Sequence, residues 1–192
     1  MSQVLLALRL KGRATAEELA ISLGVDVADV SRELASLSEE KLAVERTTGR
    51  RPGWMLTGDG RERYDTSLAD ARTPEVMERL TSTYEAFLRF NQPVKDLSAQ
   101  WQGTEDDATR FEILEELADL SEEVAPSLAS AGDLVPRFGA YAHRLAAALE
   151  KAADDPRFVV SPTVDSFHTV WFECHEDYLL MLGRSREQEG SW

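Results

Sequence analysis

The sequence predicts a mainly α protein in two parts: three short helices and a β-hairpin, then an all-α bundle of four helices. Three features lead to this. Apolar residues recur at spacings of three and four along most of the chain, which is the helical period. The pattern turns extended only at "AVERT" and "GWMLT", which flank "TGRRPG" with its turn formers Gly49, Pro52 and Gly53, the signature of a hairpin with a longer loop. Charge also divides: residues 1–65 hold 10 Lys+Arg and 11 Asp+Glu, whereas residues 66–192 hold 11 and 24, within a total of −14. The predicted domains are therefore 1–66 and 73–192, with "TSLADAR" bridging them as an extension of the segment after Thr57.

The first helix covers residues 3–11, "QVLLALRLK", and Gly12 ends it. Thr15 with Glu18 forms a capping box that opens the second. Leu19 and Leu23 line its inner face, and Gly24 stops it. Asp26 caps a third helix, whose apolar stripe is Val27, Val30, Leu34 and Leu37.

In the second part, Thr73 and Pro74 start a helix. Its stripe runs Val76, Leu80, Tyr84, Phe87, Asn91, Val94, Leu97 and Trp101, with a kink or break expected near Pro93. A second helix spans about 106–124, ending at Pro126 and Gly132. The third spans about 134–153 and buries Leu134, Phe138, Tyr141, Leu145 and Leu149. The last, about 162–182, is apolar nearly all round and belongs at the centre of a bundle.

Composition excludes several classes. With 43% hydrophobic residues the chain can build packed cores. Its single cysteine, Cys174, rules out an internal disulfide, and "VLLAL" is too short for a membrane span, so a cytoplasmic protein is expected. No nucleophile elbow, phosphate loop or H-E-x-x-H motif is present, so neither an enzyme nor a cofactor is expected. "DSFHTVWFECHED" is rich in potential metal ligands. His168 and His175, however, lie two turns apart, too far to share one ion, and no metal site is predicted.

Three helices and a hairpin make a winged helix-turn-helix. The stretch "GRATAEELAISLGVDVADVSRELASLSEEKLAVERTTGRRPGWMLTGDGRERY" resembles the winged helix-turn-helix of MarR-type and DeoR-type bacterial transcription regulators, over about the first third of the chain. The resemblance implies that the start of the third helix faces the major groove of double-stranded DNA and that the wing meets phosphates or the minor groove. Carried over, this nominates Ala28, Asp29, Ser31 and Arg32 in the helix, and Arg46, Arg50 and Arg51 in the wing. The helix also carries Asp26, Asp29, Glu33, Glu39 and Glu40 against Arg32 and Lys41. A single copy should bind weakly, and a homodimer built by the second part would offset this.

The bundle offers polar and aromatic groups suited to a small-molecule effector pocket: Asn91, Trp101, Arg137, Tyr141, His168, Trp171 and His175. A structural role is the alternative for each, with Asn91 satisfying backbone near Pro93 and Arg137 pairing with the acidic second helix. The reading is a transcription regulator with an acidic domain for dimerisation and effector sensing. A winged helix used as a protein-docking adaptor, without DNA, is the alternative.

Overall fold

Local capping chemistry lays out the start of the chain. In a computed structural model describing residues 2–49 and 51–185, Ser2 caps α1 (Gln3–Lys11) and Gly12 closes it. The Thr15–Glu18 box is formed at α2 (Ala16–Leu23), with Gly24 left-handed at its end. Asp26 caps α3 (Val27–Glu39). Strands β1 (Ala43–Arg46) and β2 (Gly53–Leu56) pair antiparallel, with Ala43 opposite Leu56 and Arg46 opposite Gly53. Helix α4 (Gly58–Ala71) follows, running through the stretch read from sequence as a bridge. The chain divides into two units between Arg72 and Thr73.

The core of the first unit comes from α1, whose Val4 to Leu8 are all buried, with Leu19, Val30, Leu34, Leu37, Leu56, Tyr64 and Leu68. Val27, expected in the α3 stripe, is instead exposed, because it precedes the first full turn that α3 lays on the core. Ala14 makes a two-way backbone bridge with Trp54 (N···O 3.1 and 2.7 Å), so the α1–α2 connection acts as a third strand beside the hairpin. A side chain on Gly53 would meet the Ala14 carbonyl oxygen at 2.8 Å.

One junction ties α3, the hairpin and α4 together. The end of α3 is a Schellman turn, in which Lys41 takes the left-handed conformation (φ 61°), Leu42 N donates to Leu37 O and Lys41 N to Ser38 O. Thr57 caps α4 by accepting from Gly60 N, and its hydroxyl donates back to Lys41 O at 2.7 Å. Thr57 N donates to Leu42 O at 3.0 Å. Gly60 comes so close to Leu42 that a Cβ there would overlap the carbonyl oxygen.

The second unit is helical throughout its described residues. Helices α5 (Pro74–Leu88) and α6 (Asn91–Gly103) are separated at Arg89–Phe90, the break expected from Pro93. That proline falls in the first turn of α6, where a missing N–H costs nothing. The expected stop at Pro126 does not occur: α7 runs from Asp107 to Leu134. Its buried stripe of Ile113, Leu117, Ser121, Val124, Leu128 and Ala131 continues across the proline, and burying this whole stripe, at about 2 kcal/mol for each large apolar side chain, outweighs the roughly 3 kcal/mol that an interior proline costs. Gly132, read as a terminator, instead lets α7 approach α8 (Arg137–Ala152), since a Cβ there would lie 2.9 Å from Gly139 N. On α8 the buried positions are Phe138, Tyr141, Leu145, Ala148 and Ala152, so Leu149 lies off the stripe, and Leu134, expected in this helix, instead ends α7 and is half-buried. After a short α9 (Arg157–Val160), Ser166 caps α10 (Phe167–Leu182), five residues later than expected. Helix α10 touches α5, α8 and α9, and α7 touches α5 and α8, so α5, α7, α8 and α10 form a ring of neighbours. No described helix is long and apolar enough to cross a membrane.

Replacing Gly60 by Ala forces the Leu42 carbonyl and the α4 N-terminus apart. Thermal unfolding of the full chain should show a destabilisation of at least about 2 kcal/mol in the first unit; an unchanged midpoint would contradict the junction.

Candidate functional site

Burying Val30, Leu34 and Leu37 turns the opposite side of α3 outward, and Ala28, Asp29, Ser31 and Arg32 are all exposed there. Helix α3 also contacts β1, and in the hairpin Arg46, Thr47, Thr48, Gly49, Arg51 and Pro52 are exposed. Arg50 lies outside the described residues. From Arg46 to Leu56 there is no carboxylate in the sequence. The predicted groove and wing residues that are described are thus all exposed.

Two cations of this surface, Arg32 and Arg51, have neighbours of opposite charge. Arg32 forms an ion pair with Asp29 one turn earlier, both well exposed. Arg51 Nη2 lies 3.5 Å from Glu18 Oε1, while Glu18 Oε2 accepts from Thr15 N at 2.9 Å. Exposed pairs of this kind contribute about 0–1 kcal/mol, so a phosphate can replace either carboxylate at little cost. Arg13 braces the loop from beneath, donating to Arg51 O at 3.0 Å. Sequence reading missed Arg13, because its role depends on the Ala14–Trp54 bridge, which has no periodic signature. Ser31 donates its hydroxyl proton to Val27 O at 2.8 Å. Beside these polar groups, Ile21, Val25 and Val27 are 64%, 42% and 41% exposed, an apolar rim at the α2–α3 turn.

In the second unit the predicted pocket residues fall into separate pairings. Asn91 Oδ1 accepts from Trp171 Nε1 at 3.2 Å, and Trp171 stacks on Phe87 at 4.4 Å. His175 Nε2 lies 3.0 Å from Tyr84 Oη. Trp101 lies under the Arg110 guanidinium. His168, half-buried, rests against Phe172 at 4.5 Å, and desolvation lowers its pKa from the ordinary 6.5.

Arg137 pairs with α10, not with the acidic α7. Its Nε and Nη2 grip Asp177 at 2.8 and 2.7 Å, and Tyr141 Oη donates to the same carboxylate at 3.2 Å. One step along, Arg144 holds Asp165 (2.9 and 2.5 Å) and Glu173 (2.7 Å). Burial opposes the Arg144 charge, but its hydrogen bond to Asp165 and the charges of Glu173 and Asp165 outweigh it and raise the pKa above the ordinary value. Arg137, Tyr141 and Arg144 recur on α8 at spacings of four and three, and Glu173 and Asp177 lie four apart on α10. That periodicity is the sequence signal that could have found this ladder. Burial, with Asp177 adding to it, pushes the Cys174 thiol well above its usual pKa, which keeps it protonated at neutral pH. Among the described residues no group of three or more His, Cys, Asp or Glu could hold a metal ion.

Asp177 is fully buried, so Asp177→Asn leaves the Arg137 charge with one fewer counter-charge in the core and should cost about 3 kcal/mol. Denaturant unfolding reads this directly, and a neutral substitution would contradict the ladder's role. His168 titrates below its unfolded value, so the stability it supports is present above pH 6.5 and is lost as pH falls through its folded pKa. His168→Gln should therefore reduce the fall in melting temperature between about pH 7.5 and pH 5.5. An identical fall in both proteins would contradict this.

Comparison with protein-family models, with curated proteins and with solved structures finds no match for this chain.

Proposed function

We propose that the chain is a DNA-binding transcription regulator whose first unit is a winged helix-turn-helix, with α3 as the groove helix and the β1–β2 loop as the wing. One observation carries the reading: α3 leaves Ala28, Asp29, Ser31 and Arg32 exposed, and the hairpin that follows it exposes Arg46 at the end of β1 and Arg51 in its loop, with no carboxylate from Arg46 to Leu56. A helix of 13 residues fits the major groove, which is about 12 Å wide, and an arginine-bearing loop at its flank reaches the phosphates.

Under this reading the ion pairs of Arg32 and Arg51 are exchanged for phosphates on binding. Asp29 and Glu18 stay close by and weaken the attraction, so one copy binds modestly and a homodimer doubles the number of phosphates engaged. The helical unit supplies the second copy, and a small-molecule effector would act by changing how the two readers are spaced. The net charge of −14 favours a second reading, in which the same unit docks a protein and never meets DNA.

A mobility-shift titration of the full chain against randomised duplex DNA, at several salt concentrations, separates the two. The regulator predicts that log affinity falls linearly with log salt, and that Arg46→Ala with Arg51→Ala reduces the slope by about one for each phosphate that is no longer neutralised. Absence of salt-dependent binding by the wild type would reject it in favour of the docking module.

A further inference from the structure

Given the proposed function, on which this rests, the composition of the α3 face bears on which bases it selects. Hydrogen-bonding side chains dominate most base readout, yet on this face they are committed elsewhere. The Ser31 hydroxyl proton goes to Val27 O, and the Arg32 guanidinium, paired with Asp29 in the free chain, goes to a phosphate under the proposed function. What the first turn of α3 leaves outward is hydrocarbon: Val27 at the first helical position and Ala28 at the second, with Val25 just before the cap. Nothing in the first unit's core requires Val27 to be apolar, since Val30, Leu34 and Leu37 provide the buried stripe.

In the major groove the methyl group on thymine C5 is the one apolar feature of a base edge. A helix whose N-terminal residues point into the groove brings its first two side chains to that edge. We infer that Val27 and Ala28 select thymine by methyl-to-methyl contact, so that specificity comes from apolar burial while Arg46 and Arg51 supply sequence-independent affinity. The charge arrangement fits this division: the cationic loop matches the phosphates, and the uncharged pair Val27 and Ala28, between Asp26 and Asp29, matches the methyl groups. Asp29, one residue further on, adds discrimination, because its carboxylate is repelled by the two acceptors of a guanine edge.

Replacing thymine by deoxyuridine removes the methyl group and leaves base pairing intact. The experiment selects duplexes that bind the full chain from a randomised pool, then remakes the selected site with deoxyuridine at each thymine in turn. The wild type should lose roughly three- to fivefold in affinity at each contacted thymine, the equivalent of one buried methyl. At the thymine that Val27 contacts, Val27→Ala should move the thymine-to-uracil ratio towards one with an unchanged salt slope. Arg51→Ala should weaken binding to both duplexes equally and keep the ratio. Equal affinity of the wild type for both duplexes, or a selected site without thymine, overturns the inference while leaving DNA binding intact. Failure to select any duplex overturns the proposed function as well.

Discussion

The Leu42 carbonyl is the point on which the first unit depends. Thr57 N donates to it, the Thr57 hydroxyl lies against it and its neighbour, and Gly60 approaches it without a side chain. Three elements meet there: the end of α3, the start of β1 and the cap of α4. A left-handed Lys41, costly for a residue with a Cβ, is held in place by the two backbone bonds of the Schellman turn and by the Thr57 hydroxyl. The angle between α3 and the hairpin is therefore set by backbone contacts. A surface made of one face of α3 and one side of the loop can be rigid only because that angle is fixed.

The two units handle charge differently. In the first, Arg32–Asp29 and Arg51–Glu18 are solvent-exposed pairs, individually weak and easily exchanged. In the second, Arg137 and Arg144 are locked to Asp177, Asp165 and Glu173 inside the bundle, where removing a partner is expensive. The exchangeable pairs leave the first unit's surface open to other charged groups, and the locked ones fix a register between α8 and α10. The two carboxylates on α10 descend as the two arginines on α8 ascend, so the ladder specifies an antiparallel pairing of these helices. A slip of one turn would strand a buried charge.

Much of this was legible in the sequence, and the reasons differ by element. The Thr15–Glu18 box, the Gly12 and Gly24 stops and the Asp26 cap are local devices, and each appears where the residues place it. The hairpin follows from Gly49, Pro52 and Gly53 in the same way. Pro126 misled because a proline's local cost competes with a long apolar stripe whose partners, on α5 and α8, are distant in sequence. Gly132 misled for a related reason: it serves a close helix crossing at Gly139, a tertiary fact. The polar residues of the bundle were recognised as inward-facing, but their partners were not. Asn91 with Trp171 and His175 with Tyr84 join residues 80 and 91 apart, beyond the reach of any periodicity, whereas the spacings on α8 and α10 could have pointed to Arg137 with Asp177. The candidate DNA face is proposed from the resemblance and the arginines, whereas the exposure of Val27 and the support from Arg13 were not legible.

The central claim is that the outward face of α3 and the hairpin loop form one DNA-contacting surface. Its most direct test is a titration of the isotope-labelled full chain with duplex DNA, followed through backbone amide chemical shifts. The account predicts that the largest changes cluster at Val27 to Arg32 and at Arg46 to Arg51, and that they reverse on addition of salt. Changes centred on the helical unit, or none at all at saturating DNA, would contradict it.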